Sequence, residues 1–182
     1  ELADDRIRML GEIIEEAAGL GIKVDIIMPP VHVTQLEVMD RMGLAEAYDQ
    51  LRLEITELAA AHSSLVRAWD FSNWSGLTAE PITDGASSPM KYFHEASHFT
   101  DETGSLLLKR LYGGPDDQEL LQRMGGFGTQ LLPAGVTPYT TQWHQAKDAW
   151  RSDHPDVMDW IDGLWDQTAS ERARRLRVKE AR

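Results

Sequence analysis

Two short strand-like runs separated by helix-periodic sequence constrain this chain more than any other feature. Ile22 to Met28 reads IKVDIIM and stops at Pro29 and Pro30, and Leu65 to Phe71 reads LVRAWDF. The first is short, β-branched and stopped by prolines, as a mostly buried strand is, and the second, after Ser63 and Ser64, is a second strand candidate. Between them, Val33–Met42 and Leu44–Ala61 repeat apolar residues at three- and four-residue steps (Leu44, Ala47, Tyr48, Leu51, Ile55, Leu58) and break near Gly43. A strand, a long helical crossover and a second strand make a βαβ unit, which requires parallel pairing. Ahead of it, Leu2 to Ala18 carries Ile7, Leu10, Ile13 and Ile14 on one helical face and ends at Gly19 and Gly21. The expected fold class is therefore α/β, with a small parallel sheet.

Two strands alone make a poor sheet, whereas a doubly wound domain normally has about five. The shortage predicts that these residues are the back portion of a longer protein. Intact mass compared with the encoding reading frame tests this.

Composition narrows the function. The 182 residues include no cysteine, so disulfides and thiolate metal sites are excluded. The net charge of −12 opposes general nucleic-acid binding, because a phosphate backbone would be repelled. The acidity reverses only at the end, where residues 171–182 carry six Lys or Arg against two Glu. Such a run suits a solvated helix terminus or contact with a polyanion or anionic membrane surface. No apolar run approaches the roughly 18 to 20 residues that span a bilayer, so no transmembrane segment is expected.

Residues 72–89 are loop chemistry, rich in Ser, Gly, Thr and Pro. From Thr100 every helix signal agrees: a capping Thr, Asp101 and Glu102 in the first turn, an apolar face of Leu106, Leu107, Leu108 and Leu111, then Lys109 and Arg110 before Gly113. Beyond Gly114 the pattern predicts a short helix (Asp116–Met124), a Gly/Pro-rich connector (Gly125–Pro138) and two helices, Tyr139–Ser152 and Pro155–Lys179. The expected domains are an α/β segment over 1–114 and a helical extension over 115–182. Trp143, Trp150, Trp160 and Trp165 recur along those last helices, as packing residues or as a sugar- or partner-binding face.

The densest chemistry is Phe93-His94-Glu95-Ala96-Ser97-His98. As written it contains H-E-x-x-H, which on a helix places two histidines on one face for zinc, with the Glu as general base. Thr100-Asp101-Glu102 instead announces a helix beginning just after these residues. A second reading pairs Glu95 with His98: a carboxylate three residues ahead of a histidine can fold back onto Nδ1, fixing the tautomer so that Nε2 faces a hydroxyl as general base. A third makes both histidines surface residues without chemistry. His32, just past a strand's carboxyl end where open α/β sheets place ligands, either lines the same crevice or begins the next helix. Asp70, also at a strand end, is a second acid or a turn former.

The order of a strand ending in Pro29-Pro30, a helical crossover, a strand ending Trp69-Asp70-Phe71-Ser72, a loop, then Tyr92-Phe93-His94-Glu95-Ala96-Ser97-His98-Phe99 leading to Gly104 and Leu106-Leu107-Leu108 resembles the C-terminal half of SGNH (GDSL-type) hydrolases. It is most similar to the bacterial envelope branch that includes the DltD- and AlgJ/AlgX-like proteins, and covers roughly Leu2 to Gly113. The resemblance implies a flavodoxin-like sheet and ester hydrolysis or acyl transfer through a serine. His98 would be the general base and Glu95 its orienting acid, with His32, Asp70 and His94 as possible lining. It further implies no cofactor, an ester or acyl substrate on a cell-envelope glycan, and a bacterial envelope or periplasmic location.

The sequence departs from the family in two places. Glu95 stands where the family usually has Asp, and the Gly-Asp-Ser-type nucleophile block and the oxyanion Gly and Asn are absent. Ser63, Ser64, Ser87 and Ser88 lie in polar turns. Without nucleophile and oxyanion donors these residues are expected to be silent in isolation. The competing expectations are a non-catalytic SGNH-like scaffold, self-associating as a homo-oligomer through open sheet edges, and a zinc hydrolase through His94 and His98.

Overall fold

A computed structural model describes residues 4–82 and 90–180, with side chains described through Thr168. Leu2, Ser87, Ser88 and Arg182, which enter the sequence reading, lie outside the described residues. Helix α1 (Asp4–Gly19) leads into strand β1 (Val24–Met28), followed by α2 (Val33–Arg41), α3 (Ala45–Ala61) and β2 (Val66–Asp70). Gly43 separates α2 from α3 with φ of 73°, the left-handed region that a side chain would strain. Strands β1 and β2 pair in parallel, from Val24 with Val66 to Met28 with Asp70. The crossover unit is therefore formed.

The sheet is mixed rather than wholly parallel. Its third strand, β5 (Thr129–Leu131), runs antiparallel to β2, with Asp70 opposite Thr129 and Ala68 opposite Leu131, in the strand order β1-β2-β5. These residues read as connector in the sequence because the strand has only three residues and is flanked by Gly128 and Pro133. Between β2 and β5 come a hairpin, β3 (Phe93–Glu95) with β4 (His98–Phe99), then α4 (Asp101–Tyr112) and α5 (Pro115–Arg123). The last helices are α6 (Val136–Asp153) and α7 (Pro155–Glu180).

Two compact units result, 1–143 and 144–182. Residues 115–143, expected in the helical extension, thus belong with the sheet. In the second unit Trp160 and Trp165 are 50% and 37% exposed, whereas Ile161 is buried.

Alternation along β2 explains the layers of the first unit. Val66 and Ala68 point to one face, where they meet Met28, Ile14 of α1, and Ile55 and Ala59 of α3. Trp69 and the following Phe71 join Leu106, Leu107 and Leu111 of α4, together with Leu121 and Phe127, in a second cluster. Because β2 is covered on both faces, its burial supplies much of the fold's apolar stabilisation, about 1.5–3 kcal/mol for each large side chain fully removed from water. Strand β1 lies at the sheet edge, and Ile27 on it is 36% exposed.

Candidate functional site

The candidate residues occupy the β3–β4 hairpin. Phe93 is buried in the second core cluster and Phe99 packs against it, so the hairpin's apolar ends are anchored and its polar residues face outward. Glu95 and His98 are opposed across the Ala96-Ser97 turn. The Glu95 carboxylate meets His98 Nδ1 in a short contact, and accepts from the Ser97 backbone N–H at 3.0 Å and from Ser97 Oγ at 3.0 and 3.1 Å. The Ser97 N–H, then His98, hold the Glu95 carboxyl down at about 2. Thr100 caps α4 by accepting the Thr103 N–H, so His98 sits in an extended segment two residues before that cap.

The side chains are open to water, His98 at 79% and Glu95 at 53%. Among the described residues, the hydroxyl within hydrogen-bond distance of His98 is that of Ser97, 3.3 Å away and on Nδ1. Nε2 has no described protein partner. The arrangement can orient an imidazole, set its tautomer and present Nε2 outward to accept a proton.

His94 is exposed on β3. Because residues 93–99 form a hairpin, His94 and His98 are not stacked on successive helical turns, and the helical geometry of an H-E-x-x-H zinc site is not formed. Among the described residues there is no group of three or more His, Asp or Glu able to hold a metal ion.

His32 is deeply buried. It caps α2: Nδ1 accepts the Thr34 N–H at 3.3 Å and lies 2.8 Å from Thr34 Oγ1, while Nε2 donates to the Glu80 carbonyl at 2.8 Å. Since Nδ1 accepts a backbone N–H, the ring is neutral and protonated on Nε2. Its own N–H donates to the Ala96 carbonyl at 2.9 Å. The hairpin therefore lies beyond the carboxyl end of β1, the end at which open α/β sheets bind ligands. His32 holds the hairpin from beneath with both ring nitrogens engaged, rather than exposing a nitrogen beside His98.

Asp70 is also buried. Its Oδ1 accepts the Ser72 N–H at 2.7 Å, shaping the turn after β2, and Oδ2 accepts from Arg52 Nε at 2.7 Å and Tyr139 Oη at 3.1 Å. Burial and the Asp70 charge push the Tyr139 hydroxyl well above its usual range. This network closes inside the fold. A cleft of about 470 Å³ lined by Lys23, Asp25, Arg67 and Tyr112 opens at the opposite, amino end of the parallel strands.

Comparison with protein-family models, curated proteins and solved structures gives no match.

Glu80 is a residue of the site that sequence reasoning does not find. Its Oε1 accepts the backbone N–H groups of Tyr92 and Phe93 at 2.8 and 2.9 Å, and its Oε2 that of Lys91 at 2.8 Å. One carboxylate thus organises the entry to the hairpin. Nothing in Glu80-Pro81 signals that role, because the three donors are 11 to 13 residues away. Arg52 did leave a signal: a cation on the apolar face of α3, between Tyr48 and Ile55, requires a buried acid opposite it.

Proposed function

We propose that this chain carries the acid–histidine half of an SGNH-like ester hydrolase or O-acyltransferase. His98 is the general base and Glu95 its orienting acid, acting on an ester or acyl group such as one borne by a cell-envelope glycan. The observation that carries the reading is the Glu95–His98 contact through Nδ1, made in a bend ahead of α4 with Nε2 turned outward. A carboxylate on Nδ1 holds the imidazole in the tautomer that accepts a proton at Nε2 and stabilises the imidazolium that forms.

A serine hydroxyl placed on Nε2 would supply the nucleophile. Ser97 does not suit that role, because it lies on Nδ1 and shares the carboxylate. These 182 residues alone are accordingly expected to leave nitrophenyl acetate and butyrate unhydrolysed. The test uses the protein as its reading frame encodes it, assayed on those esters and on acetylated glycan. The expected result is turnover that His98→Ala lowers by about 10²–10⁴-fold. Absence of turnover, or equal turnover in His98→Ala, overturns the proposal.

The 79% exposure of His98 favours one further reading, a non-catalytic binding or scaffold module, since an active imidazole is ordinarily shielded from bulk water. Concentration-dependent oligomers in light scattering, without esterase activity in the encoded protein, would support it. No described helix is long and apolar enough to cross a membrane.

A further inference from the structure

Two hydrogen bonds and one ring contact from a single residue bear on the base of the hairpin. The His32 backbone N–H is bonded to Ala96 O at 2.9 Å, in the turn between Glu95 and His98. Its Nε2 is bonded to Glu80 O at 2.8 Å, and Glu80's carboxylate in turn holds the N–H groups of Lys91, Tyr92 and Phe93. Its ring meets the Phe93 ring edge-on, with centroids 5.5 Å apart. The conformation that makes these contacts is set by the remaining nitrogen, Nδ1, which accepts from the Thr34 N–H.

Protonation of the ring would put a hydrogen on Nδ1. The Thr34 hydroxyl could then reverse and accept it, but the Thr34 backbone N–H cannot reverse, and two donors would face each other in a buried site. We propose that His32 is a proton-operated latch for the candidate site. When neutral it fastens the β3–β4 hairpin to the carboxyl end of β1, and when protonated it releases the hairpin, so pH sets the placement of Glu95 and His98. The latch stands on its own geometry, and only its bearing on acyl chemistry rests on the function proposed above.

The charged surroundings agree with a neutral ring. Burial pushes the His32 imidazole below its usual value, and Glu80, through its carbonyl and its charge, partly opposes this. On α2, Glu37 is turned to Arg41 at 2.9 Å. On the hairpin Glu95 engages His98, while His94 is exposed; in the adjoining segments Lys91 pairs with Glu102 at 2.9 Å. Asp101 is exposed in the first turn of α4. Among the described residues, Glu80 is thus the acid that acts on the ring. Because the folded-state value lies below the unfolded one, the latch is intact above about pH 6.5, and its contribution is lost as pH falls below that toward the folded value.

Hydrogen exchange of the amides from Tyr92 to Thr100, corrected for intrinsic rates and measured between pH 7.5 and 5, tests the proposal on the 182-residue chain. Wild type should lose protection on acidification, by up to about tenfold for each pH unit that separates the two imidazole values. In His32→Asn, whose amide oxygen can accept the Thr34 N–H without titrating, protection should become independent of pH. In His98→Ala the loss should persist. Unchanged protection in wild type, the same loss in His32→Asn, or its disappearance in His98→Ala would each overturn the latch. If His32→Asn does not fold, ¹⁵N chemical shifts of the wild-type ring serve instead: Nδ1 should be unprotonated at neutral pH and titrate below 6.5 together with the Ala96 and Ser97 amides. A titration unconnected to those amides would refute it. Esterase activity enters neither measurement, so failure of the latch and failure of the proposed chemistry are distinguishable.

Discussion

Arg52 Nε donates to Asp70 Oδ2 across 2.7 Å, with neither side chain exposed to water, so α3 is tied to the carboxyl end of β2 by a buried ion pair. Asp49 accepts from Arg52 Nη1 at 2.8 Å, and the guanidinium lies over the Trp143 ring at 4.5 Å. Removing one member of a buried pair leaves the other charge without compensation, at a cost of about 3–5 kcal/mol. Arg52→Met should lower unfolding free energy in urea by that amount. Asp49→Asn, at a 27% exposed position, should cost far less. Equal losses would show that the pair with Asp70 is not the dominant one.

Glu80→Gln tests the clamp at the hairpin entry. The substitution keeps one acceptor oxygen but turns an amide donor toward backbone N–H groups that now have an anionic partner. Hydrogen bonds to a charged group are worth about 1.5–3 kcal/mol, and a loss of that size is expected in urea denaturation, with hydrogen exchange accelerated first at Lys91, Tyr92 and Phe93. A change confined to other segments would contradict this account.

At Gly128 the backbone has φ of 77°, and an added Cβ would come within 2.3 Å of the Phe71 ring. Gly128→Ala should therefore combine left-handed strain of about 1–2 kcal/mol with overpacking of about 1–3 kcal/mol. Differential scanning calorimetry should show a clear fall in Tm. Gly126→Ala, which shares a positive φ but meets nothing within 4 Å, should show the strain alone.

The Glu95 carboxyl should titrate near 2 in ¹³C NMR of the side chain. The Ser97 backbone N–H is the largest cause, and His98 follows. Consequently His98→Ala should raise the midpoint only part of the way toward the usual 4.5. A full return would mean that the imidazole does most of the holding. The sign is that of a depressed acid: the pair is intact above the unfolded carboxyl range and weakens as pH falls toward 2.

The crossover unit was legible because its signals are local and redundant. Ile22–Met28 is bounded by Gly21 and Pro29, and the Thr100 cap with acidic first-turn residues announces Asp101–Tyr112 without help from tertiary contacts. Strand β5 was not legible, since Thr129-Gln130-Leu131 is extended only because β2 offers it a partner. The Glu95–His98 spacing was readable as a turn pair, but the roles of His32 and Asp70 depended on neighbours distant in sequence. Glu80 O lies 48 residues from His32, and Tyr139 lies 69 residues from Asp70. A polar residue at a strand's carboxyl end looks the same in a sequence whether it faces a ligand or fastens the floor beneath one.

The strand order gives the sheet two unequal margins. On one side β5 offers three residues to any newcomer; on the other, β1 offers five, β-branched at three positions, with Ile27 among them and Ile22 just ahead of them exposed. A further strand, were one to pair with this sheet, is accordingly expected at β1 rather than at β5. A lysine at Ile27, breaking the apolar rim without touching the hairpin, should slow that pairing where the same change near β5 would not.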